Sequence, residues 1–139
     1  MQQFAAGKTN LMSKQIIKTD KAPAPIGPYN QPVKANGMLF VSGQVAFVPE
    51  TGELVSSSVA DETHQVMKNL QAVLSEAKLT FAHVVKTSIF LSDMSLFAQV
   101  NEVYGSYFTG DYPARETVAV KGLPRGVNVE ISVIAVVDL

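Results

Sequence analysis

The sequence predicts one α+β domain, a mostly antiparallel sheet with two helices on one of its faces. Three observations carry that expectation. Asn36-Gly37 stands between two apolar, strand-like segments, the strongest short-range hairpin signal a chain offers. Two later segments repeat apolar residues at three- and four-residue spacing, the stripe of an amphipathic helix. Residues 84–91 and 127–137 are dense in β-branched side chains. The length, 139 residues, is one domain's worth, and no repeat or interdomain linker interrupts it.

Taken in order, the first eleven residues, MQQFAAGKTNL, lack an apolar run and precede a second methionine, Met12. They read as a leader, which leaves 12–139 as the domain. Residues 20–32 hold four of the seven prolines and can form neither a helix nor a central strand. Strands at about 32–36 and 38–45 flank Asn36-Gly37, and Pro49-Glu50-Thr51-Gly52 makes a second turn. From Ser58 the period changes: Val59, Thr63, Val66, Met67, Leu70, Val73, Leu74 and Ala77 mark a helix over about 59–77, with Ser58 and Asp61 as a capping box. Residues 84–91 (VVKTSIFL) form a strand buried on both faces. Asp93-Met94-Ser95 caps a second helix over about 95–108, and Gly110 closes it. Arg115–Lys121 and Val127–Val137 are strands joined by a turn at 122–126, read together as a hairpin. The last strand carries valine and isoleucine on both sides, so the face away from the helices needs cover. A partner subunit is the economical source.

Composition narrows the chemistry. There is no cysteine, which excludes disulfides, thiolate nucleophiles and Cys-ligated metal and makes the cytoplasm the default compartment. Net charge is -1 with no basic cluster, which argues against nucleic acid as a partner. Hydrophobic residues make up 47% and charged residues 17%, yet no apolar run approaches the about 20 residues a membrane span needs. The only histidines, His64 and His83, lie outside any metal-ligand or triad spacing and read as edge or surface residues. No phosphate-binding glycine loop is present.

What remains is a small polar set in apolar settings. Glu130 sits inside the most hydrophobic strand, where an ionised carboxylate is either a satisfied structural ion or a tuned acid/base. Arg115 opens a strand, either as a surface residue or as a planar fork for a substrate carboxylate. A hairpin register whose residue numbers sum to 247 would place Glu130 opposite Thr117 with Arg115 diagonal on the same face; an even register would separate them. Asn101 lies in line with Phe97, Tyr104 and Phe108. By default it is an amide serving nearby backbone. Tyr29 reads as a packing aromatic with a wet hydroxyl, and Ser42-Gly43 as a strand end or bulge.

Ile26-Gly-Pro-Tyr29, Phe40-Val-Ser-Gly-Gln44, Pro113-Ala-Arg115 and Val129-Glu130-Ile131, in this order and spacing, resemble the RidA/YjgF family of enamine/imine deaminases over about residues 13–139. The resemblance implies a chorismate-mutase-like fold and a homotrimer whose sheets form a central barrel, with sites in the clefts between subunits. It also implies hydrolysis of 2-aminoacrylate, 2-iminopropanoate and 2-iminobutanoate to 2-oxo acids and ammonia without cofactor or metal. On that pattern Arg115 clamps the substrate carboxylate and Glu130 orients or activates water, while Tyr29, Ser42, Gly43, Asn101 and Thr117 line the pocket. Many members carry a small residue and then cysteine after the arginine; here Glu116 and Thr117 stand there, and the Thr117 backbone N–H keeps its donor. A different class of function uses the same clamp: a non-catalytic module that binds 2-oxo acids, or a holdase of the same fold.

Overall fold

The computed structural model describes residues 13–137, so the proposed leader lies outside the described residues. Six strands are described: β1 (Gln15–Ile16), β2 (Pro32–Ala35), β3 (Met38–Gln44), β4 (Val84–Leu91), β5 (Ala114–Ala119) and β6 (Val129–Val136). They form one sheet in the order β1-β2-β3-β6-β4-β5. Two helices, α1 (Val59–Glu76) and α2 (Phe97–Gly105), follow β3 and β4. The α+β expectation holds, with only the β4–β5 pair parallel.

Local chemistry explains most boundaries. Asn36 and Gly37 both adopt positive φ, 54° and 76°, which the twist of a two-residue hairpin requires and which these residues tolerate. The Ser58 hydroxyl accepts from the Asp61 N–H at 3.0 Å. The Asp61 carboxylate takes the Ser57 hydroxyl instead of closing the box. The second helix begins as a 3-10 turn, Met94–Leu96, capped by Asp93, and its α-helical part ends at Gly105, three residues earlier than the stripe suggests.

One strand is added and one expectation is corrected. β1, a short outer strand, precedes the proline-rich segment, where no element was expected. More consequentially, β5 and β6 do not form a hairpin: β4 lies between them, parallel to β5 and antiparallel to β6. A helix that follows a strand carries the chain back to the strand's starting end, so the next strand runs parallel to the first. The pattern β4-α2-β5 is such a crossover. β6, uniformly apolar on its covered side, takes a central slot, whereas the alternating ARETVA of β5 suits an edge.

The core fills the space between the helices and one sheet face. Val66, Met67, Leu70, Val73 and Leu74 of α1 pack with Leu39, Val41, Ile89, Leu91, Ile131 and Val133 of the sheet, all buried. Three buried polar side chains tie the layers together. Glu62 accepts from the Asn128 and Val129 N–H groups at 2.8 and 3.0 Å and from the Asn128 amide at 3.1 Å, fixing the start of β6. The Asn69 amide donates to the Val45 and Phe47 carbonyls. The Gln31 amide group donates to the Thr19, Ala22 and Pro23 carbonyls and its oxygen accepts from the Thr19 N–H, which holds the proline-rich loop against the sheet. The opposite sheet face carries Phe40 and Val118, both exposed, beside Val33, Met38 and Ile134. No described residue of the chain covers it.

Candidate active site

On the uncovered face, the site starts from a β-bulge in β3. Val41 pairs with Val133 and Gln44 with Ile131, so Ser42 and Gly43 together oppose the single residue Ser132. The bulge brings Gly43 against the Glu130 side chain: a Cβ on Gly43 would overlap the Glu130 carboxylate. The missing side chain matters here for space and not for backbone conformation, since the φ of Gly43 is ordinary: a Cβ would force the Glu130 carboxylate to move. Ser42 is fixed twice, by its N–H donating to the Gln31 carbonyl at 2.8 Å and its hydroxyl to the Asn30 carbonyl at 2.5 Å. These bonds hold the proline-rich loop so that Tyr29 stands over the bulge.

Tyr29, Ser42, Gly43 and Glu130 line one cavity of about 620 Å3, whose other walls include Ile26, Phe47 and Pro124. Burial among these apolar walls pushes the Glu130 carboxyl above the ordinary glutamate value. The carboxylate has no hydrogen bond or ion pair among the described residues. It faces the cavity and is not a satisfied structural ion.

Arg115 and Thr117 are elsewhere. β5 pairs Arg115 with Thr87 and Thr117 with Ile89, both on the helix-covered side of β4. Glu130 pairs with Phe90 on the other side. Within one chain, Arg115 and Glu130 therefore face opposite sides of the sheet, and Thr117 is two strands from Glu130 rather than opposite it.

The Arg115 guanidinium lies on an aromatic cradle from α2, 5.1 Å from the Tyr104 ring centre and 5.7 Å from that of Phe97. Tyr104 is itself anchored, its hydroxyl donating to Thr87 Oγ1 at 2.9 Å. Burial raises the Tyr104 phenol above its usual value, so it stays a neutral donor, with Thr87 and Arg115 opposing the shift. Among the described residues no carboxylate pairs with Arg115, and the ion pair there is Lys86–Glu116 at 2.9 Å, reinforced by the Ser88 hydroxyl. Glu116 thus points away from the Arg115 side and its carboxyl sits below the ordinary range, chiefly through Ser88.

Asn101 is exposed, not on the covered side of its helix. It lies four residues after Phe97 and three before Tyr104, on the turn of α2 that carries the cradle. Thr117 Oγ1 is buried without a hydrogen-bond partner. Both histidines are occupied structurally: His64 Nδ1 is 2.9 Å from the Tyr107 hydroxyl, and His83 Nδ1 accepts from the Thr80 N–H.

The cradle was not apparent in the sequence, where Phe97 and Tyr104 belong to a core stripe; an arginine on a strand facing that stripe is the signal that could have found it. Arg125, in the turn before β6, also lines the Glu130 cavity.

The endoribonuclease L-PSP family model matches residues 19–137. Protein DfrA of Myxococcus xanthus is 52% identical over 127 residues, 90% of this chain and 97% of that protein. The mouse 2-iminobutanoate/2-iminopropanoate deaminase is 47% identical, over 88% of this chain and 91% of its own length. Among solved structures, Escherichia coli TdcF with bound serine superposes with a TM-score of 0.84 at 39% identity, covering 88% of this chain and 98% of that one.

Proposed function

Because the chain belongs to the endoribonuclease L-PSP, or RidA/YjgF, family, we propose that it hydrolyses 2-imino acids and their enamine tautomers to 2-oxo acids and ammonia. The carrying observation is the pair of half-sites. One holds a carboxyl whose hold on a proton is strengthened by burial, the other a guanidinium set against two rings with no acidic partner among the described residues. A planar 2-imino acid needs both, a bidentate donor for its carboxylate and a proton-transfer group at C2.

The steps follow from these groups. Arg115 binds the substrate carboxylate, with the Thr117 N–H and Asn101 beside it. The Glu130 acid protonates the imine nitrogen, and the resulting carboxylate takes a proton from water as the water oxygen bonds to C2. The carbinolamine then transfers its hydroxyl proton to nitrogen, the C–N bond breaks, and ammonia leaves with the C=O formed. An enamine enters by protonation at C3. Water supplies the oxygen, so the balance needs no cofactor.

Since Arg115 and Glu130 face opposite sides of the sheet, a complete site takes Arg115 from one copy and Glu130 from the next. The exposed Phe40 and Val118 on the uncovered face support assembly through that face, and a ring of three, which the family resemblance implies, is the assembly proposed. The name of the mouse relative supports the substrate class. The absence of cysteine supports a cytoplasmic setting.

A coupled assay tests the reading: 2-iminobutanoate is generated in situ and its disappearance followed. Acceleration that is lost in Arg115→Ala, with assembly unchanged, is the expected result. Tight binding of 2-oxobutanoate without acceleration would transfer the site to ligand sensing.

A further inference from the structure

The cavity that receives the Glu130 carboxylate is also lined by a cation. Arg125 lines it together with Glu130, yet the two do not form an ion pair. They are separated within one cavity of about 620 Å3, far more space than the methyl or ethyl group of the smallest 2-imino acids fills. The guanidinium is held by a different contact. Its carbon sits 5.5 Å from the centre of the Phe47 ring, and Phe47 is fixed in turn by its bridge to Leu54 and by the Asn69 amide on its carbonyl at 2.8 Å.

The backbone beneath Arg125 is also unusual. Its φ is 59°, a left-handed conformation that a long non-glycine side chain adopts at a cost of about 1 kcal/mol or more. The turn Pro124–Gly126 holds that conformation, and the exposed side chain lies over Phe47. The cavity's apolar walls include Ile26, Val48, Pro49 and Pro124. Arg125 is exposed and has no carboxylate partner among the described residues, so its guanidinium is available to an anion on a ligand that enters the cavity.

We infer that Arg125 is a specificity-determining residue that selects 2-imino acids bearing a second, side-chain carboxylate. The inference rests on the proposed deaminase reading. In that pose the α-carboxylate is bound by Arg115 of the neighbouring copy and C2 lies at Glu130. The side chain extends along the apolar walls, and its terminal carboxylate meets the Arg125 fork.

The test compares two substrates on the assembled protein: 2-iminobutanoate, and the imine of glutamate generated in situ by an amino-acid oxidase. In Arg125→Met the ratio of kcat/KM for the acidic imine to that for 2-iminobutanoate falls at least about tenfold. Arg125→Lys, which keeps the charge but not the fork, recovers part of it, and Arg125→Glu lowers it further. Equilibrium binding of 2-oxoglutarate against 2-oxobutanoate follows the same order in the same variants. A ratio that stays constant across Met, Lys and Glu would overturn the specificity role while leaving the deaminase standing. Absence of any Arg115-dependent turnover of 2-iminobutanoate would instead overturn the reading beneath it.

Discussion

Gly43 and Glu130 act as one unit at the residue scale. A methyl group on Gly43 would occupy the space of the Glu130 carboxylate, so Gly43→Ala displaces the proposed proton-transfer group without touching the core. Activity should drop at least about tenfold while the thermal midpoint moves little, and a Gly43→Ala enzyme with normal kcat would show that Glu130 does not work from this position. The raised Glu130 value also has a thermodynamic sign. A carboxyl whose folded value lies above its unfolded one contributes stability that is complete below the unfolded value and disappears as pH rises through the folded one. Glu130→Gln should therefore melt higher than the parent at pH 7, with the gap closing as pH falls below the ordinary glutamate range near about 4.3. Melting curves across pH read this directly.

At the scale of elements, the strands and helices were largely legible, and their pairing was not. Asn36-Gly37 specified the first hairpin through its backbone, and α1 announced itself by period and cap. The β5–β6 hairpin failed because periodicity reports which residues face one way along a strand, and says nothing of which strand lies next. Arg115 and Glu130 could be singled out as chemistry in the wrong surroundings; that they face opposite sides depends on β4 lying between β5 and β6. Glu62 escaped notice because a glutamate in a helix's first turn looks solvated. Its three accepted bonds make it a clamp, and Glu62→Ala should cost about 3 kcal/mol in denaturant unfolding by orphaning two backbone N–H groups. The α2 cradle gives a kinetic expectation. Phe97→Leu frees one side of the Arg115 guanidinium and should raise KM about threefold with a smaller effect on kcat, and Phe97→Tyr should restore it. Unchanged KM in the leucine variant would leave the orientation of Arg115 to Tyr104 alone.

For the whole molecule, the proposed shared site makes a prediction no single-chain site can meet. Arg115→Ala and Glu130→Gln are each inactive, but co-refolding them in equal amounts creates junctions where an intact Arg115 meets an intact Glu130. In rings of three, random mixing should return about a quarter of the parent rate. No recovery from mixtures shown to exchange subunits would overturn the shared site.

The sheet that separates Arg115 from Glu130 is one strand layer thick, and on the proposed chemistry this has a consequence for gene dosage. A chain not yet assembled is silent, since its two half-sites look away from each other. Output near the assembly threshold then rises more steeply than the amount of protein, and halving expression there removes more than half of the deaminating capacity.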